Sequence, residues 1–282
     1  MLEALAAAAK ALLYLGVLYG AGAVFADASL RAAAGSAAAS SAQRMRRGAQ
    51  LTIAAALIAA LLLVFRLGGE FDVPTLSAVF LSSYGAALCF QVAGSALVLV
   101  AIGEDATDRG MRWFDAALVT ASFALCGHAA DAGAFGTAVA WLHVSAAAWW
   151  VGSLCLLRHA CGHLELPAIA ALLRRFSGRA LKVVAALVAA GGVLVITLLG
   201  FTRRPLASAY GQLLFLKIAL ALAVVGLAGY NRLQLTPRLL AGDQTAVGAL
   251  RRTIDAELLI IGAVLITTAI LTTYTSPPEG IP

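Results

Sequence analysis

The chain has 282 residues, of which 62% are hydrophobic and only 12% charged, and its mean hydropathy is +0.92. A water-soluble domain carries about 25% charged residues, so this composition excludes one. The net charge of +6 is carried mostly by arginines between apolar runs. No basic patch interleaved with aromatics of the kind that binds nucleic acid is present, so no nucleic-acid partner is expected.

Apolar runs of ~20 residues, each able to cross a ~30 Å hydrocarbon layer, recur along the whole length. They predict an all-α, polytopic transmembrane helical bundle of about eight spans, forming a single integral-membrane domain over 1–282. In chain order the spans are expected at 4–27, 49–67, 74–102, 112–131, 135–158, 178–202, 208–231 and 255–275. The first run carries Glu3 in place of a basic N-terminal region and is too long for a signal peptide, so it reads as a span. The Ala-rich stretch from Ala32 to Ala42 reads as a short loop or a helix end. Gly68-Gly69 and Pro74 separate the second and third spans, Gly133 and Gly136 bracket a tight turn, Pro205 opens the seventh span and Pro237 follows it.

Lys and Arg concentrate in cytoplasmic loops. Fifteen of the twenty basic residues fall in or beside the loops after the first, third, fifth and seventh spans. Both termini are therefore expected on the periplasmic side. The cysteines, Cys89, Cys126, Cys155 and Cys161, form no Cys-x-x-Cys pair, and no disulfide framework is expected.

Two histidines stand out in the hydrocarbon. His128 belongs to Gly127-His128-Ala129-Ala130-Asp131, at the outer end of the fourth span. His143 follows Trp141-Leu142, some eight residues into the fifth, which places it ~10–12 Å deep at helical rise. A short connection makes these spans antiparallel neighbours, so the two rings fall near one end of the bundle. Asp131, three residues after His128, can orient that imidazole or act as a third ligand. The plain alternative is a water-facing His128 and a His143 bonded to a neighbouring helix. Polar, metal-capable groups inside spans mark ion paths or relays, and imidazole suits copper, zinc, iron and nickel alike. Trp150, seven residues after His143, shares nearly its face; Trp149 points elsewhere, and both read as anchoring or packing aromatics.

The fifth span ends in Cys155-Leu-Leu-Arg-His159-Ala-Cys161-Gly-His163. If the helix continues, Cys155, His159 and His163 share one face; if it frays, His159, Cys161 and His163 alternate along one side. Thiolate with imidazole suits Cu(I) or Zn(II), so this cluster is a candidate cytoplasmic exit site, against the plainer reading of an interfacial loop. Lys217 sits near mid-membrane in the seventh span and reads as a structural hydrogen-bond donor or as a charge compensating an unidentified carboxylate. Glu257, in the eighth, reads either as a ligand or proton acceptor or as an interfacial acid beside Arg251 and Arg252, with the second preferred. Lys10 is expected to snorkel outward.

These elements taken together resemble the CopD family of bacterial inner-membrane copper-resistance proteins, related to the PcoD and YcnJ-type copper-uptake proteins. The resemblance is carried by Gly127-His128-Ala129-Ala130, by Leu142-His143-Val144 running to Trp149-Trp150-Val151-Gly152, by Arg175-Phe176-Ser177, by Tyr210-Gly211-Gln212 running to Lys217, by Asn231-Arg232 and Pro237, and by Glu257. It is clearest over 120–280. It implies eight helices in the inner membrane, copper as Cu(I) or Cu(II) for cargo, and a periplasmic CopC-like copper-binding protein as partner. It also implies His128 and His143 as the copper site with Trp149 or Trp150 nearby, while Lys217 and Asn231 match motif positions of unassigned chemistry. Met1, Met45 and Met111 are the only methionines, so there is no methionine-rich path.

The expected function is copper import across the bacterial inner membrane, with capture at His128 and His143, support from Asp131 and release near Cys155, His159 and His163. No Walker A pattern is present, so transport is expected to be passive or driven by membrane potential, worth ~2.3 kcal/mol per charge per 100 mV. Two alternatives stay open. One is a b-type haem electron carrier, because two histidines on antiparallel helices also suit a bis-imidazole haem. The other is a non-transporting accessory protein that docks a copper chaperone. No catalytic spacing of serine, cysteine or acids points to an enzyme.

Overall fold

A computed structural model describes residues 1–103, 109–126, 133–199 and 205–275, and all regular structure among them is helical. Six stretches of the described chain are long and apolar enough to cross a membrane: Leu2–Arg66, Ser83–Ile102, Gly133–His163, Leu166–Thr197, Ala209–Leu240 and Thr245–Tyr274. The protein is a multi-pass membrane protein.

The first of these stretches is a hairpin. Helix α1 (Leu2–Ala34) passes through a 3-10 turn over Gly35–Ser40 into α2 (Ser41–Arg66), which returns antiparallel along it. Gly20 lies against the backbone of Gly48, and Gly16 against that of Thr52. Small residues let helix backbones approach where lipid supplies no hydrophobic drive to associate. The Arg66–Glu3 ion pair, 2.9 Å, closes the open end of the hairpin.

The third predicted span is broken. Helix α3 (Val73–Leu81) is capped by Asp72, whose carboxylate accepts from the Thr75 amide at 2.9 Å; Ser82 is extended, and α4 (Ser83–Gly103) follows. The fourth predicted span is helical over α5 (Arg109–Ala121) and a 3-10 turn, Ser122–Leu125. Its remainder, with His128 and Asp131, lies outside the described residues.

Helix α6 (Gly133–His163) crosses the centre of the bundle and is followed by α7 (Leu166–Leu199), α8 (Ala209–Tyr230), a π-turn over Asn231–Leu235, short α9 (Thr236–Leu240) and α10 (Thr245–Tyr274). Gly133, at φ 69, starts α6, whereas Gly136 lies within the helix rather than in a turn. Several helices overrun the predicted spans, α7 by twelve residues at its start. The apolar window reports the hydrocarbon-embedded part, while the helix continues through charged turns such as Arg174-Arg175.

Helices α1 and α6 cross in close backbone contact where Gly22 meets Ala148 and Gly152. The main hydrophobic core gathers around this crossing, with Phe25 and Leu30 of α1, Trp149, Trp150, Leu154 and Leu157 of α6, Leu172 and Phe176 of α7, and Leu250 and Ile254 of α10. The start of α1 and the end of α10 share one end of the bundle, where Lys10 Nζ donates to the Thr272 carbonyl at 2.9 Å.

Candidate functional site

His143 lies on α6 against α7. Its Nδ1 is 3.2 Å from the Leu187 carbonyl oxygen, so the Nδ1–H donates there and fixes the tautomer. The ring edge fills the space left by Gly191, where a Cβ would stand 3.2 Å from Cε1. A ring held this way keeps the lone pair of Nε2 for another partner, the arrangement second-shell carbonyls give to metal-binding histidines. Lys217 of α8 is within electrostatic reach of His143 and makes no ion pair among the described residues.

Trp149 and Trp150 are core residues. Trp149, 8% exposed, donates from Nε1 to Ser29 Oγ at 2.9 Å and stacks on Phe176 with centroids 5.7 Å apart. Trp150 also packs on Phe176, with centroids 5.6 Å apart and the rings tilted, and its indole N–H interacts with Glu257 of α10.

There the structure corrects the preferred reading of Glu257. The carboxylate is not an interfacial acid beside Arg251 and Arg252: it is 1% exposed, inside the bundle. Asn231 Nδ2 donates to Glu257 Oε1 at 2.6 Å, and Thr253 Oγ1 lies 2.6 Å from Asn231 Oδ1. The second carboxylate oxygen, Oε2, and the Trp150 Nε1 are both buried without a well-formed hydrogen bond, yet close enough to interact. Asn231 opens the π-turn, held by the Thr236 hydroxyl donating to its carbonyl at 2.9 Å. π-Bulges within helices recur at functional sites, and this one swings the Asn231 amide onto α10. Three residues singled out from sequence, Trp150, Asn231 and Glu257, thus meet in one buried polar cluster. Thr253 completes it; its place four residues before Glu257, on the same helix face, was the available signal.

At the far end of α6 the helix continues to His163, so the helical arrangement holds and the extended one does not. His159 and His163 stack at 4.1 Å, and His163 Nδ1–H donates to the His159 carbonyl at 2.9 Å. Cys155 and Cys161 are free thiols. Among the described residues no three His, Cys, Asp or Glu side chains come together as a metal site, so Cys155, His159, Cys161 and His163 are not gathered into one. Nearby, Arg158 pairs with Asp255 of α10.

Lys10, expected to snorkel outward, reaches the last turn of α10. Besides bonding Thr272 it lies 5.4 Å from the centroid of the Tyr84 ring, in a cavity of about 430 Å³ lined also by Tyr14, Arg66, Gln91 and Cys126.

A multi-pass helical membrane protein with a buried carboxylate cluster and a carbonyl-held histidine is the class these features define. Residues 170–271 match the family model described as Copper resistance protein D, CopD. The match takes in Lys217, Asn231, Thr253 and Glu257, and ends short of His143 and Trp150. No curated protein and no solved structure matches the chain.

Proposed function

We propose that this protein imports copper across the bacterial inner membrane as a single eight-span domain with both termini in the periplasm. The loop distribution of Lys and Arg supports that orientation. Copper is captured at His128 and His143 with Asp131 assisting, and leaves near Cys155, His159 and His163, without ATP hydrolysis. A periplasmic CopC-like protein is the proposed donor. The observation that carries the reading is His143: its Nδ1 is committed to the Leu187 carbonyl at 3.2 Å, which presents Nε2 as a ligand. The inward-negative membrane potential favours cation import.

Copper accumulation in cells expressing His143→Ala tests it. Uptake should be abolished at expression equal to wild type, with His143→Gln equally inactive because glutamine offers no imidazole lone pair. Unchanged accumulation removes His143 from the path. Proteoliposomes containing only this protein should admit copper; their failure to do so with folded protein would favour a docking role.

A further inference from the structure

The cluster around Glu257 takes no part in that copper path, and its hydrogen bonds carry information of their own. A carboxylate inside a membrane protein is costly unless its oxygens are satisfied. Glu257 Oε1 receives the Asn231 amide at 2.6 Å, and Thr253 Oγ1 lies 2.6 Å from Asn231 Oδ1. Thr253 Oγ1 also lies 2.9 Å from the Leu250 carbonyl oxygen. A hydroxyl has one hydrogen, so it can donate to Asn231 or to Leu250 but not to both at once. The two amide positions of Asn231 are nearly equal in shape, and their assignment follows from the network.

Two hydrogen-bond networks therefore fit the same heavy-atom positions. With Glu257 ionised, Asn231 Nδ2–H donates to Oε1 and the Thr253 hydroxyl donates to Oδ1. With Glu257 protonated, Oε1–H donates to Oδ1 of the turned amide, Nδ2–H donates to Thr253 Oγ1, and the Thr253 hydroxyl donates to Leu250 O. Oε1, the Asn231 amide and the Thr253 hydroxyl keep a partner in either state, while Oε2 has no well-formed hydrogen bond. The Trp150 N–H faces the carboxyl group in both. We propose that Glu257 is a reversible proton-binding site within the bundle, with the Asn231 amide turning over to serve both of its protonation states.

The surroundings suit that role. Helix α10 packs against α1, α6, α8, α9 and the π-turn, and among the described residues the side chains from these elements that act on Glu257 are Asn231 and Trp150. On α10 itself, Asp255 is committed to Arg158, while Arg251 and Arg252 point to exposed positions. No counter-cation neutralises the carboxylate among the described residues, so a proton is the charge that can. The π-turn fixes the Asn231 backbone through Thr236, so the amide group turns over by rotation about the Cβ–Cγ bond, the soft two-fold torsion of asparagine.

The test is pH-difference infrared spectroscopy of the full-length protein in liposomes without copper. Wild type should show a carboxylic-acid C=O band that appears on acidification and vanishes in Glu257→Gln, together with a side-chain amide C=O change. The amide change should be lost in both Glu257→Gln and Asn231→Leu. Glu257→Asp, which keeps a carboxyl group one methylene shorter, should retain a titrating band at a displaced frequency, so a fold defect in one variant does not leave the question open. A wild-type spectrum identical to that of Glu257→Gln across the pH range of the folded protein overturns the proton site. A titrating band with an unchanged amide overturns the turnover of Asn231. Neither readout involves copper, so the result stands apart from the success or failure of the import reading.

Discussion

Replacing Gly22 with alanine tests whether the α1–α6 crossing is as close as the structure has it. A Cβ at Gly22 would stand 3.0 Å from the carbonyl carbon of Ala148 and 3.0 Å from the amide nitrogen of Gly152, with the Ala148 oxygen nearer still. These are backbone atoms of α6, which no rotamer change can move aside. Ordinary carbon contacts lie at about 3.5–4.0 Å, so the helices must part or bend. Overpacking of this kind costs about 1–3 kcal/mol, and parting the helices also stretches the Trp149–Ser29 hydrogen bond, worth about 1 kcal/mol. Alanine returns up to about 1 kcal/mol through helix propensity. The net expectation is a loss of about 1–3 kcal/mol. Gly226→Ala on α8 is the control, because a Cβ there meets nothing within 4 Å, and it should be neutral or stabilising by up to about 1 kcal/mol. Denaturant unfolding in detergent micelles, followed by tryptophan fluorescence, compares the two. Equal stability of Gly22→Ala and Gly226→Ala would refute the close crossing and, with it, the way α6 is held.

Trp149→Phe keeps an aromatic ring against Phe176 but removes the donor to Ser29 Oγ; it should cost about 0.5–1.5 kcal/mol in the same unfolding assay, and Ser29→Ala in that background should add almost nothing. In the loop before α10, hydrogen bonds from Thr245 and then Arg238 hold the Asp243 carboxyl below its ordinary value of 3.8. A lowered folded-state value means the stabilisation is present above the ordinary carboxylate range and fades as pH falls through the lowered value. Asp243→Asn should therefore flatten the acid limb of a thermal stability profile below about pH 4 and leave neutral pH little changed. Arg158→Ala breaks the ion pair with Asp255, but both side chains are nearly half exposed, so the loss should stay within about 1 kcal/mol when Tm is measured in moderate salt.

Hydropathy made the helical class and most of the spans legible, because a run of ~20 apolar residues has few other uses. It was a poorer guide to where helices end. Helix α7 begins at Leu166, well before its apolar run, since backbone hydrogen bonding continues through Arg174-Arg175 whether or not lipid surrounds it. The break at Ser82 was hidden inside an unbroken apolar run. His143 was legible as an uncommon residue for its setting, but its partner, the Leu187 carbonyl, was not, because a backbone acceptor 44 residues away leaves no mark in sequence. Glu257 was misread for a related reason. Arg251 and Arg252 lie close to it in sequence, but at i−6 and i−5 they fall on other parts of the helix surface, while Asn231, brought across by a π-turn, takes their place.

That substitution of a neutral amide for a guanidinium changes what the site can do. An arginine beside Glu257 would lock the carboxylate in its charged form, and removing either partner would leave a buried charge. An amide is indifferent to charge: it presents a donor on one side and an acceptor on the other, and Thr253 can complement whichever side is turned away. The chemistry of the cluster follows from that indifference. The CopD match covers Asn231, Thr253 and Glu257 together, while His143 lies on the preceding helix, joined to the cluster through Trp150 of the same α6. Helix α6 therefore carries a candidate metal ligand and, about two turns on, a donor facing the buried carboxyl group. Movement of one end of α6 against α1, limited by the Gly22–Gly152 crossing, would be felt at the other. Gly22→Ala thus bears on more than stability: a variant that still folds should alter the carboxylic-acid band of Glu257 if α6 behaves as one rigid element, and leave it unchanged if the helix bends between His143 and Trp150.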